Sequence, residues 1–94
     1  MERRVEYKLE SRELKKRTGG IVRIGIMQDK LLKMLVGGDK VHIGEISKRI
    51  YGVHDYSTEQ CVRLLISRFR RVSRMHIKRE GKGYYRMREE IWFK

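Results

Sequence analysis

Val5, Tyr7 and Leu9 alternate with charged residues near the start of the chain, the two-residue period of a strand with one apolar face. Glu13 to Arg17 is a short basic stretch, and after the turn "TGG" the β-branched run Ile21, Val22, Ile24 and Ile26 follows, so residues 1–26 read as two or three small antiparallel strands. From Met27 the period changes. Met27, Leu31, Met34 and Leu35 recur at helical spacing and stop at Gly37 and Gly38, which marks a first helix. Ile43, Ile46 and Ile50 repeat at i, i+3 and i+7 before Gly52, so "GEISKRIYG" predicts a short second helix. Ser57 or Thr58 can cap a third helix, with Gln60 or a neighbouring polar side chain reaching back to the freed amides of its first turn. That helix runs to about Val72 and carries one apolar stripe, Val62, Leu65, Ile66, Phe69 and Val72.

The opposite side of the third helix is unusual. At 100° per residue, Gln60, Arg63, Leu64, Ser67, Arg71 and Arg74 cluster away from the stripe, with Arg68 and Arg70 on its flanks. Beyond it, Ile77, the tip Glu80-Gly81-Lys82-Gly83 and the run Tyr84-Tyr85-Arg86-Met87 predict a β-hairpin over 74–88, whose glycines permit positive φ and hold Lys82 outward. Of the two tyrosines one must face the core, and Tyr84 is the one expected there. Residues 89–94 form a tail in which Trp92 or Phe93 closes the bottom of the core. Residues 27–73 are then a three-helix centre, and 1–94 a single α+β domain without repeat or linker.

Composition sharpens this picture. Twenty-four Lys and Arg against twelve Asp and Glu give a net charge of +12, which makes a polyanion the first partner to consider. The charge is concentrated: Thr58 to Arg88 holds Arg63, Arg68, Arg70, Arg71, Arg74, Lys78, Arg79, Lys82, Arg86 and Arg88 against Glu59 and Glu80, or +8. One or two arginines on a helix are an ordinary solvated face; five beside a single acid point to contact with nucleic acid. For Arg70, closer to the apolar stripe, ordering of the loop or of an acidic side chain is an equal alternative. Leu64 is either core filling or a contact to a thymine methyl.

Other chemistry finds little support. A chain of this length has no room for a deep cleft, its acids are dispersed, and no nucleophile elbow or phosphate-binding loop is present, so no enzymatic activity, small-molecule substrate or cofactor is expected. His42, His54 and His76 lack metal-ligand spacing, and Cys61 is the lone cysteine, so neither a metal site nor a disulfide framework is expected. Cys61 falls beside the apolar stripe as a packed thiol. No apolar run approaches a membrane span and the start lacks the apolar stretch of a signal peptide, which predicts a cytoplasmic protein with no membrane partner.

A helix-turn-helix with a basic second helix, followed by a glycine-tipped hairpin, suits a duplex: the helix fits the major groove and the hairpin reaches phosphates or the minor groove. At this point the chain resembles the winged-helix effector domains of OmpR and PhoB type. "VRLLISRFRRV" (62–72) is similar to that family's recognition helix, "REGKGYYRM" (79–87) to its wing, and "EISKRIYG" (45–52) to its second helix. The resemblance implies a winged helix-turn-helix with a small N-terminal antiparallel sheet and a C-terminal hairpin wing. It also implies double-stranded DNA binding by a transcription regulator, the third helix in the major groove, and pairing of two copies on tandem half-sites. Family contacts carry over to Arg63, Leu64, Ser67, Arg68, Arg70 and Arg71. Gln60-Cys61 stands where the family has Arg-Thr or Arg-Ser, and Glu80 where it has a wing Arg, which moves the wing cation to Arg79 or Lys82. No receiver domain precedes residue 1, so a stand-alone regulator and an excised fragment are both open. With Gln60 and Arg74 added from the helix face, the leading expectation is a sequence-specific regulator; the alternative is a non-specific DNA- or RNA-binding architectural protein.

Overall fold

The computed structural model describes residues 4–17 and 19–94, so Thr18 of the "TGG" turn lies outside the described residues. Its elements are β1 (Arg4–Lys8), β2 (Glu13–Lys16), β3 (Ile21–Arg23), α1 (Ile26–Leu35), β4 (Val41–His42), α2 (Ile43–Tyr51), α3 (Tyr56–Ser73), β5 (Ile77–Arg79), β6 (Tyr84–Met87) and β7 (Glu90–Phe93). The three strands at the start pair antiparallel as expected, but the sheet has four strands, in the order β3-β2-β1-β7, because the tail returns and pairs parallel with β1. Alternation gives this sheet one buried face of Val5, Tyr7 and Leu14. Leu9, the third member of the expected alternation, lies past the end of β1 and is exposed.

The tail therefore does not plug the core with an aromatic ring. Trp92 and Phe93 are both about half exposed; Trp92 lies under the Arg4 guanidinium, 4.5 Å from ring centroid to Cζ, and Phe93 meets the edge of Tyr7. Ile91, just before them, is the tail residue that packs on the core. The physical reason is the strand itself: the pairings Glu6 with Trp92 and Tyr7 with Phe93 fix which faces these side chains take, and β7 lies at the sheet edge.

The sheet is bolted to the helices by Tyr7. Its buried hydroxyl donates to the Asp29 carboxylate of α1, whose other oxygen pairs with Lys33 at 3.0 Å. Helix α1 begins one residue earlier than the period indicates, with the Gln28 side chain accepting from the Gly25 N–H at 2.9 Å. It buries Leu31, Leu32 and Leu35, while Met27 faces out. In α2 the expected Ile43, Ile46 and Ile50 are all buried, and Gly52 caps the helix in the left-handed region.

Helix α3 starts earlier than Ser57 or Thr58 would allow, because Asp55 is the cap. Its Oδ1 accepts from the Thr58 N–H at 2.9 Å while Thr58 Oγ1 accepts from the Asp55 N–H at 2.9 Å, the reciprocal arrangement of a capping box, and Gln60 takes no part. Val62, Leu65, Ile66 and Phe69 form the buried stripe; Val72 is exposed and Ser73 is buried in its place. The hairpin β5-β6 gains β4 as a third strand, giving the order β4-β6-β5. Tyr85 is its buried tyrosine, since it pairs with Val41 on the core side; Tyr84 is half-buried instead, between His42 and Lys40. Among the described residues no helix is long and apolar enough to cross a membrane.

Candidate nucleic-acid interface

The capping box at Asp55 and the stripe of α3 together dictate which side of that helix meets solvent. Gln60, Arg63, Leu64, Ser67, Arg68, Arg70 and Arg71 are all exposed on it. Leu64 is therefore not core filling: it is 51% exposed, in a shallow recess with Ile26, Met27, Tyr51 and Arg68. Cys61 lines the same recess and is exposed, so it is not the packed thiol the stripe suggested. Arg74 departs from the helix. Its φ of 57° makes it a left-handed cap whose N–H donates to the Arg70 carbonyl at 2.8 Å, so its side chain leaves the helical face and its charge lies near Lys16 of β2.

Three residues later the hairpin begins. Gly81 and Gly83 both have positive φ, as the tip requires, and Lys82 between them is exposed. Gly83 is needed for space as well, because a Cβ there would stand 3.0 Å from the His42 imidazole. Arg79 is exposed on β5, and Glu80 is tied back by Arg86 at 3.1 Å across the hairpin, so the tip presents the lysine without a competing carboxylate. The base of the hairpin is locked to α2: the Ile43 N–H donates to the Gly83 carbonyl at 2.7 Å, and His42 Nδ1 accepts from the Gly44 N–H at 3.0 Å as the cap of α2.

Charge pairing distinguishes these side chains. Among the described residues no carboxylate lies within ion-pair distance of Arg68, Arg70, Arg71, Arg79 or Lys82. Unpaired cations gathered on one helix and a neighbouring hairpin repel one another, and a polyanion relieves that repulsion. Arg63 is different. Glu59, the single acid of α3, holds it at 3.2 Å through one oxygen and His54 at 2.7 Å through the other. That hydrogen bond from His54, helped by the charges of His54 and Arg63, pulls the Glu59 carboxyl below its ordinary range. The i, i+4 spacing of Glu59 and Arg63 is readable in the sequence, but the approach of His54 from the preceding turn is not. Among the described residues no group of His, Cys, Asp and Glu could hold a metal ion.

No protein-family model matches the chain, and no curated protein matches it either. Among solved structures, the crystal structure of the DNA-binding domain of Bacillus subtilis CssR is similar with a TM-score of 0.73 and 21% identity, covering 88% of this chain and 98% of that one. The chain has a winged helix-turn-helix fold. Within the winged helix, α2 and α3 are the helix-turn-helix, β5 and β6 are the wing, and β4 is the strand that anchors the wing to α2. The expected order of elements is thus present, and every one of Gln60, Arg63, Leu64, Ser67, Arg68, Arg70, Arg71, Arg74, Arg79 and Lys82 is exposed on α3, its cap or the wing.

Proposed function

We propose that this protein is a double-stranded DNA-binding transcription regulator of the OmpR and PhoB type, selective for sequence, working in the cytoplasm as a binding module. The reading rests on one observation above all: the exposed face of α3 carries arginines without carboxylate partners, on a fold shared with a DNA-binding domain. In this reading α3 enters the major groove, where Gln60, Arg63, Leu64, Ser67 and Arg68 meet base edges and Arg70 and Arg71 meet phosphates. Lys82 and Arg79 on the wing, and Arg74 at the helix end, reach the backbone or the adjacent minor groove. Two copies on tandem half-sites belong to the same reading, because one domain of this size covers limited DNA surface.

Selection from a random duplex library, followed by anisotropy of the best site and a scrambled duplex over a salt series, tests it. The expected result is a motif whose site binds more tightly than the scrambled duplex by on the order of 10³ or more. Ser67→Ala or Arg68→Ala should then cost about 1–3 kcal/mol at one or two base positions, whereas Lys82→Ala should weaken all duplexes alike and reduce the salt slope by about one. The absence of a motif, with both duplexes on the same steep salt slope, would instead make the +12 charge the whole cause of binding and the protein a non-specific architectural one.

A further inference from the structure

An acid at the head of a DNA-facing helix needs a reason. Glu59 is the only carboxylate of α3 and stands in the first turn, on a segment where every other charged side chain is an arginine. Facing a polyanion it is a repulsive charge, so it weakens binding unless it does something else. Its surroundings are specific rather than loose: with its side chain 26% exposed, one oxygen is bonded to His54 Nε2 at 2.7 Å and the other to Arg63 Nη2 at 3.2 Å. His54 is itself lodged. Its Nδ1 edge lies over Gly44 at the start of α2, where an added Cβ would come within 2.9 Å, and its ring meets the edge of the His42 ring at 6.3 Å. The carboxylate is thereby tied through His54 to the α2 end of the helix-turn-helix, and it passes that fixity to Arg63.

We propose that Glu59 and His54 are positioning residues that hold the Arg63 guanidinium for one guanine in the major groove, so that base choice at a single position depends on a carboxylate that touches no base. The proposal rests on the reading of α3 as a major-groove helix. A long arginine on an open helix face samples many rotamers, and ordering it at the moment of binding costs entropy. Here one Nη2 hydrogen is engaged by Glu59. The other Nη2 hydrogen and those of Nη1 remain in the plane of the guanidinium, the fork that fits O6 and N7 of guanine. Phosphate binding gains little from such fixing, since a phosphate accepts from many directions; a base edge gains much. The carboxyl of Glu59 is held below its ordinary range, so the clamp is charged at neutral pH.

The library selection repeated on the full chain with Glu59→Ala, Glu59→Gln, His54→Ala and Arg63→Ala tests this. With the wild-type motif in hand, Arg63→Ala should erase the guanine preference at one position. Glu59→Ala should lower guanine discrimination at that same position by roughly tenfold, leave the other positions intact, and bind a scrambled duplex as tightly as the wild type or more so. His54→Ala should act at that position in the same direction, and Glu59→Ala in combination with Arg63→Ala should add nothing to Arg63→Ala alone. If Glu59→Ala and Glu59→Gln tighten every duplex equally and keep the guanine preference, Glu59 is only a repulsive charge and the proposal is wrong. Loss of preference at a position that Arg63→Ala leaves alone would also overturn it, because Glu59 would then read a base directly. Retained binding to the scrambled duplex shows that a variant is folded, with Glu59→Gln as the milder change. A wild type that selects no motif defeats the regulator reading itself, whereas failure of the variants beside an intact wild-type motif defeats only the role given to Glu59 and His54.

Discussion

Ser73 occupies a place on α3 that periodicity assigns to an apolar side chain, and the reason lies in how the helix ends. Val72, one residue earlier, was expected to complete the stripe, yet it faces solvent and Ser73 is buried. The left-handed Arg74 turns the chain sharply inward, and the Met75 N–H that follows has no helical partner. Ser73 supplies one: its Oγ accepts from that N–H at 3.2 Å and donates to the Phe69 carbonyl at 2.6 Å. Replacing Ser73 by Ala leaves a buried donor unsatisfied, and urea denaturation should show a loss of about 1–3 kcal/mol. Ser73→Ala is expected to cost more than Val72→Ala, although a purely hydropathic reading of the helix ranks them the other way. The same contrast explains which site residues were legible. The exposed arginines follow from a 100° rotation per residue, which holds within the helix and fails at Arg74, where a single positive φ takes the residue out of the helical repeat.

At the scale of elements, the long-period signals were readable and the pairings were not. The apolar isoleucines of α2, the stripe of α3 and the glycine-tipped hairpin are set by local spacing, and each is present where spacing puts it except at Val72, where the stripe ends. Strands β4 and β7 are set by partners far along the chain, His42 with Tyr84 and Tyr7 with Phe93, and two- or four-residue strands carry too little pattern to announce themselves. Which of Tyr84 and Tyr85 turns inward is not legible for the same reason, since only pairing with Val41 decides it. Helix starts are an intermediate case. Asp55, Ser57 and Thr58 all have capping chemistry, and what selects Asp55 is the reciprocal pair it forms with Thr58. Asp55→Ala removes the acceptor for the Thr58 N–H and should cost about 1 kcal/mol in a denaturant titration, with Ser57→Ala nearly neutral. A comparable loss from Ser57→Ala would mean that the helix begins two residues later.

For the whole molecule, the question is what keeps a peripheral sheet fixed to the helical body, and Tyr7 is a direct tie between the two. It is fully buried in the central strand β1, and its hydroxyl donates to Asp29 of α1. Burial first, and then the hydrogen bond and charge of Asp29, push its pKa above the ordinary tyrosine value near 10. The direction of linkage follows. The folded state holds the phenolic proton more tightly than the unfolded state, so the stabilisation is fully present below pH ~10 and is lost as pH rises beyond the point where the unfolded tyrosine ionises. Other groups titrate in the same range: burial also raises Tyr51, and it lowers Lys16. The informative quantity is accordingly the stability of the wild type minus that of Tyr7→Phe, in which those contributions cancel. That difference should be flat between pH 7 and 9, favouring the wild type by about 0.5–1.5 kcal/mol for a hydrogen bond whose carboxylate keeps Lys33 as a partner. Above pH ~10 it should shrink and then change sign, because phenylalanine has no proton to lose. A difference that stays constant through pH 11 would show that the Tyr7 hydroxyl reaches water, and the sheet would then be held to the helices by apolar packing alone.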